Sequence, residues 1–145
     1  MNLIGFNLTK VLAEKYKELK PNTSINTNID FVDVQKDEIN ISQAVDVIKI
    51  AFKFTIAYSD PEIKKEKDAK EAEIILHGAM VLTTNEDESK DLLKSWKKKE
   101  VPENYKISLF NLILRKCSLK SLQLEEELGL PSHMPLPQLR PQPKQ

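Results

Sequence analysis

The feature that most constrains this chain is the alternation running from Gln43 to Tyr58. Ile48, Ile50, Phe52, Phe54, Ile56 and Tyr58 fall on one face of an extended chain, and Lys49, Ala51, Lys53, Thr55 and Ala57 on the other. At roughly 3.3 Å per residue such a strand spans about 50 Å. Strands in globular proteins usually run to about five or six residues, so this one predicts a tall sheet and an elongated domain. Two further stretches read as strands. Ile25 to Val32 alternates, with Ile25, Thr27, Ile29 and Phe31 on one face and Asn26, Asn28 and Asp30 on the other, the pattern of a half-buried strand. Glu73 to Thr83 sets Ile74, Leu76, Gly78, Met80 and Leu82 against Ile75, His77, Ala79 and Val81. Apolar residues on both of its faces predict a helix over one side of the sheet and another subunit or a client over the other. Lys36-Asp37-Glu38 reads as a charged connection, and Glu62 to Lys70, after the stop at Ser59-Asp60-Pro61, as an exposed hairpin loop. The first twenty residues are ambiguous. Leu8, Val11, Leu12, Tyr16 and Leu19 suit a helix, Phe6, Leu8 and Leu12 suit a strand, and propensity favours helix from Lys10 to Leu19.

The second half of the chain changes period. Thr84 or Asn85 can cap a short helix from Glu86 to Lys99, whose acidic first turn and basic last turn suit the helix dipole and whose only apolar face is Leu92, Leu93 and Trp96. Val101-Pro102-Glu103 breaks it, and a long helix follows with Pro102 or Glu103 in its first turn. On that helix Tyr105, Leu109, Phe110, Leu112, Ile113 and Leu114 cover more than half the circumference, leaving a polar stripe of Ser108, Asn111, Arg115 and Ser118. A helix lying on one surface needs an apolar stripe of only about 100°. This one is therefore expected to bury two surfaces, one of them against another copy of the chain. Gly129 is a left-handed stop. The tail from 130 to 145 carries prolines at 131, 135, 137, 141 and 143, which forbid helix, yet it is apolar at Leu130, Met134, Leu136 and Leu139. Such a segment must lie over something, either as a strap closing the sheet or helix end, or as a wall of a peptide-binding groove.

Composition narrows the function. A chain of 145 residues holds one domain, here 1–145 with its tail, and 22 basic against 22 acidic residues give no electrostatic case for nucleic acid. With 30% charged and 40% hydrophobic residues the chain is globular. No secretory signal is legible at the start, and no run approaches the roughly 18 apolar residues of a membrane span, so a cytoplasmic protein without membrane insertion is expected. Candidates for chemistry are few. His77 reads as a structural or surface histidine, His133 as a solvated one, and Cys117 as a small hydrophobe within the long helix. None of the three glycines belongs to a phosphate-cradling loop. The residues offer surfaces rather than a reaction centre: no enzyme, no cofactor and no metal site is expected.

The order of parts resembles the SecB family of export chaperones, and its archaeal SecB-like branch most of all. The resemblance lies in strands at Ile25–Phe31, Val45–Tyr58 and Ile74–Leu82, a short helix, Val101-Pro102 leading into the long helix, and Leu136-Pro137-Gln138-Leu139 after it. It implies an α+β fold: a four-stranded antiparallel sheet with a long C-terminal helix packed on one face, and an edge strand at Leu3–Glu14 in place of a helix. It implies a cytoplasmic, ATP-independent holdase for unfolded polypeptides, linked to protein export and assembled as a homotetramer, a dimer of dimers, through the long helices. Tyr105, Leu109, Leu112 and Ile113 are then the candidates for the oligomer interface. Ile29 and Phe31 on the second strand, with Leu130, Met134, Leu136 and Leu139 in the crossover, are the candidates for the client groove. The family's bacterial members continue into a second helix where this sequence ends at Gln145, so a shallower groove is expected. The alternative within the same fold is a peptide-binding adaptor, or an antitoxin-directed chaperone, with one dedicated partner.

Overall fold

In the computed structural model of the chain, the described residues are 1–42, 45–137, 139 and 141. Gln43, Gln138 and the closing Gln-Pro-Lys-Gln of the expected strand and tail lie outside them. Four strands, β1 (Asn2–Lys15), β2 (Ser24–Ser42), β3 (Val45–Ser59) and β4 (Lys70–Thr84), form one sheet in the order β1-β4-β3-β2, every neighbouring pair antiparallel. A helical turn α1 (Glu66–Ala69) precedes β4, and α2 (Glu86–Trp96) and α3 (Glu103–Leu128) follow it.

The alternation of β3 has the expected consequence. Ile48, Ile50, Phe52, Phe54, Ile56 and Tyr58 are all buried beneath the helices, beside Ile74, Leu76, Met80 and Leu82 of β4. Each such side chain contributes on the order of 1.5–3 kcal/mol of burial free energy before entropy is set against it. Gly78 lies on this buried face opposite Phe52, and a Cβ there would stand 2.6 Å from the Phe52 ring and 2.7 Å from the Asn7 carbonyl. The missing side chain lets the Phe52 ring lie across the sheet and stack on Phe6 of β1, centroids 5.2 Å apart.

Three expectations fail for identifiable reasons. The helix favoured over Lys10–Leu19 is strand as far as Lys15, because pairing along β4 from Asn2↔Thr83 to Lys15↔Ala72 overrides local propensity. Lys36-Asp37-Glu38 is not a connection: Lys36 pairs with Ile48 and Asp37 with Val47, on an edge strand where charge is tolerated and discourages further pairing. The run from Glu62 to Lys70 contains α1, and Ala69 is buried, its carbonyl accepting from Asp60 N at 2.9 Å.

β1 and β2 are consecutive in sequence but occupy opposite edges, so residues 16–23 must cross the ends of β4 and β3. Two buried acids hold that crossing. The Glu71 carboxylate accepts from Lys20 N at 2.9 Å and from the Thr23 hydroxyl at 2.7 Å, while its carbonyl accepts from Tyr16 N. Asp60 pairs with Lys20 Nζ at 2.5 Å and accepts from Glu62 N. The Lys20 ammonium, followed by the Glu62 amide, holds the Asp60 carboxyl below its ordinary range, and the same contact raises Lys20.

α2 begins with a capping box: Asn85 accepts from Glu88 N, and Glu88 accepts from Asn85 N. α3 buries Leu109, Ile113, Cys117, Ser121 and Glu125. A spacing of four throughout follows a ridge inclined to the helix axis, and this ridge is the one turned to the sheet. Leu109 and Ile113, expected between copies of the chain, are therefore taken up by the protomer's own sheet at 0% exposure, while Tyr105 and Leu112 stay half-buried. On the outward side, Ile107 is 65% and Leu119 64% exposed. The helix stops at Gly129, in the left-handed region at φ 65°, where the Leu130 N–H turns back to the Glu125 carbonyl. No helix among the described residues is long and apolar enough to cross a membrane.

Candidate functional site

A spacing of four places Phe110, Leu114, Ser118 and Leu122 on one row of α3, next to the buried row. That row is the axis of the candidate site. At its N-terminal end Phe110 stacks on Phe31 of β2, centroids 4.9 Å apart and planes within 11°. The two rings stand in a cleft of about 510 Å³ with Ile29, Trp96 and Val101. Lys106 lies over the Phe110 ring and Lys99 over Trp96, at 5.6 and 5.0 Å. Lys99 adopts a left-handed φ of 59°, which a side-chain-bearing residue rarely takes, and so turns the chain between α2 and α3 along the cleft wall. At the other end of the row Leu122 lines a second cleft, about 520 Å³, with Leu130, Ser132 and Leu136 of the tail. Leu114 lies between the two ends, 38% exposed.

The six candidate groove residues thus fall into groups joined only through α3. Ile29 and Phe31 are in the first cleft, Leu130 and Leu136 in the second, Met134 is partly exposed and Leu139 fully so. Phe110, Trp96 and Leu122 belong to the same surface.

What fixes the tail is a polar cluster. The Glu125 carboxylate accepts from the Tyr58 hydroxyl, from His133 N at 2.8 Å and from His133 Nδ1 at 2.8 Å. Tyr58 also lies 3.0 Å from the Pro131 carbonyl. His133 Nε2 is 3.2 Å from Ser118 Oγ, and its ring meets Phe54 edge-on at 6.4 Å. With Nδ1 protonated, both ring contacts of His133 are satisfied: Nδ1–H donates to Glu125 and Nε2 accepts from the Ser118 hydroxyl. The expectation of a solvated His133 is corrected, since its side chain is 5% and that of Glu125 2% exposed. Burial, with the Glu125 carboxylate beside it, pushes the Tyr58 phenol far above its ordinary value, so it stays a donor at any physiological pH.

The chain of contacts Ser118–His133–Glu125 has the connectivity of an acyl-transfer triad. Ser118, however, sits in the interior of an α-helix, where backbone N–H groups are engaged by the preceding turn and cannot converge on a developing oxyanion. The ring is also covered, and the arrangement acts as a clasp. Cys117 is fully buried and its thiol is pushed up to about 12 by that burial, which leaves it unreactive. His77 lies on the open face of the sheet in register with Lys10 and Lys53; burial first, then the two lysines, holds its pKa down.

No family model and no curated protein matches the chain. Among solved structures it is similar to the SecB-like chaperone of Mycobacterium tuberculosis in complex with a peptide from an antitoxin, with a TM-score of 0.48 and 16% sequence identity, over 97% of this chain and 91% of that one.

Proposed function

We propose that the chain is an ATP-independent chaperone that holds non-native polypeptides by burying their apolar segments along α3, between the Phe31–Phe110 cleft and the tail. One observation carries this reading: the helix row of Phe110, Leu114 and Leu122, interrupted by Ser118, has an open cleft at each end in which aromatic and aliphatic side chains stand among charged ones such as Lys99, Lys106 and Glu126. Such a surface accepts extended segments of varied sequence and contributes binding through several shallow contacts. The resemblance of the sequence to the export chaperones supports the same reading, including a cytoplasmic protein serving export. The test is suppression of aggregation of a chemically denatured protein at a stoichiometric ratio. Phe31→Asp, which places a charge in the first cleft, is expected to weaken it. Unchanged client aggregation in the presence of the wild-type chain overturns the proposal. Capture of a single dominant partner in place of a spread of unfolded chains would favour a dedicated peptide-binding adaptor.

Assembly through α3 is part of this proposal. Because Leu109 and Ile113 are used within the protomer, the face available to a second copy is the outward one, bearing Ile107 and Leu119 with Tyr105 and Leu112 at its flank. Ile107→Lys with Leu119→Lys is expected to halve the mass in solution, or reduce it further, while leaving the thermal transition in place. An unchanged mass removes this surface from the assembly.

A further inference from the structure

The tail does not simply border the α3 row; it occupies part of it. His133 sits on Ser118 and against Phe54, and Leu130 and Leu136 face Leu122 across the second cleft, so the chain's own residues cover the row at Ser118 and wall it at Leu122. We infer that residues 130–136 are an internal competitor for the client groove: the tail covers the row at Ser118, Glu125 is its clasp, and a client segment reaches the full row only by displacing it. The inference rests on the chaperone reading of the same surface.

Three features suit the tail to reversible release. Its anchorage is concentrated. Leu130 and His133 are the buried points, while Met134 and Leu136 are progressively more exposed. Its prolines at 131, 135 and 137 have no N–H to give to a sheet, so side chains and the His133 amide supply the hold. The clasp also survives being opened. Glu125 keeps the Tyr58 hydroxyl when His133 leaves, and Tyr58 keeps Glu125 when Pro131 leaves, so neither group is stranded in the core. Release uncovers Phe54 and the Ser118 position between Leu114 and Leu122, which joins the two clefts into one longer row open to a client. A segment tethered one residue beyond the helix competes at an effective concentration on the order of millimolar, so modest contacts keep the row closed until a client offers more.

The experiment uses the full chain and a reduced, carboxymethylated, permanently unfolded α-lactalbumin as probe, with affinity read by fluorescence anisotropy and tail opening by hydrogen exchange of the segment containing the His133 amide. His133→Ala removes two side-chain hydrogen bonds and the contact with Phe54, and is expected to bind the probe about tenfold more tightly than wild type. Saturating probe is expected to accelerate exchange of that segment in the wild-type chain. Ser118→Ala, at a half-exposed helix position, loses one of these bonds and gives a smaller gain of the same sign; it carries the test if His133→Ala fails to fold. Equal affinities with unchanged exchange overturn the internal competitor and leave the chaperone reading standing. Weaker binding by His133→Ala overturns it too, by making the tail a wall of the groove. A probe that binds neither form overturns the chaperone reading and this inference with it.

Discussion

The two ends of the sheet are closed by different chemistry. Where β3 ends and β4 begins, three carboxylates, Asp60, Glu71 and Glu125, are almost completely buried, and each is met by donors from a segment passing over that end: the β1–β2 crossing for the first two, Tyr58 and the tail for the third. At the end where α2 leaves the sheet, the buried polar groups are the neutral Thr84 and Ser89, and the surface between there and mid-sheet is held by aromatic contact, Phe31 on Phe110 beside Trp96. A carboxylate fastens a passing segment at one defined position, because its acceptors must be matched by donors. An aromatic stack tolerates displacement and exchange of partners. Fixed connections and adaptable surface are thus separated along α3.

This contrast can be broken experimentally. Glu125→Ala strips both nitrogens of His133 that face it of their acceptor in a buried place and leaves Tyr58 only the Pro131 carbonyl, and is expected to lower stability by about 3 kcal/mol or more in urea unfolding. Phe110→Ala loses a half-buried ring and its stack on Phe31, an expected cost of about 2 kcal/mol, and should weaken client capture more than Glu125→Ala does. If Phe110→Ala proves the more destabilising of the pair, the polar end is not the more tightly fixed one. Acid should act on the carboxylate end. Asp60 is held below its ordinary pKa chiefly by Lys20, and at Glu73 an upward push from burial is outweighed by the hydrogen bonds from Lys70 and Tyr16. As pH falls below about 4, the unfolded chain takes up protons that these folded carboxyls resist, so stability is lost progressively until pH passes below the folded values. Asp60→Asn should be less stable at neutral pH and flatter in its acid dependence. An unchanged slope in pH-dependent melting would show that the Lys20 contact adds nothing.

What was legible in the sequence follows the same division. The β3 and β4 faces, the α2 cap and the Gly129 stop all rest on local rules that these residues obey. β1 was legible only through family resemblance, since propensity over Lys10–Leu19 pointed elsewhere and the deciding term was pairing with β4. The far half of β2 was hidden because an edge strand can carry charge. The candidate groove residues fall into separate groups, because periodicity along one element does not say which residues of different elements meet. The clasp has one signal in the sequence. Glu125-Glu126-Glu127 puts three acids at a helix C-terminus, where the dipole opposes negative charge, and a residue kept against that preference usually has a partner elsewhere. His133, eight residues on, is that partner.

Ser121, one turn before the clasp on the buried row of α3, has a fully buried hydroxyl for which no hydrogen-bond partner is found among the described residues. Ser121→Ala removes a desolvated group that receives nothing in return, and alanine is the better helix former. The expected change is a gain of about 1 kcal/mol in urea unfolding, with client binding unaltered. The core of this chain therefore stops short of the most stable version of itself, and the slack lies one helical turn from the residue that fastens its tail.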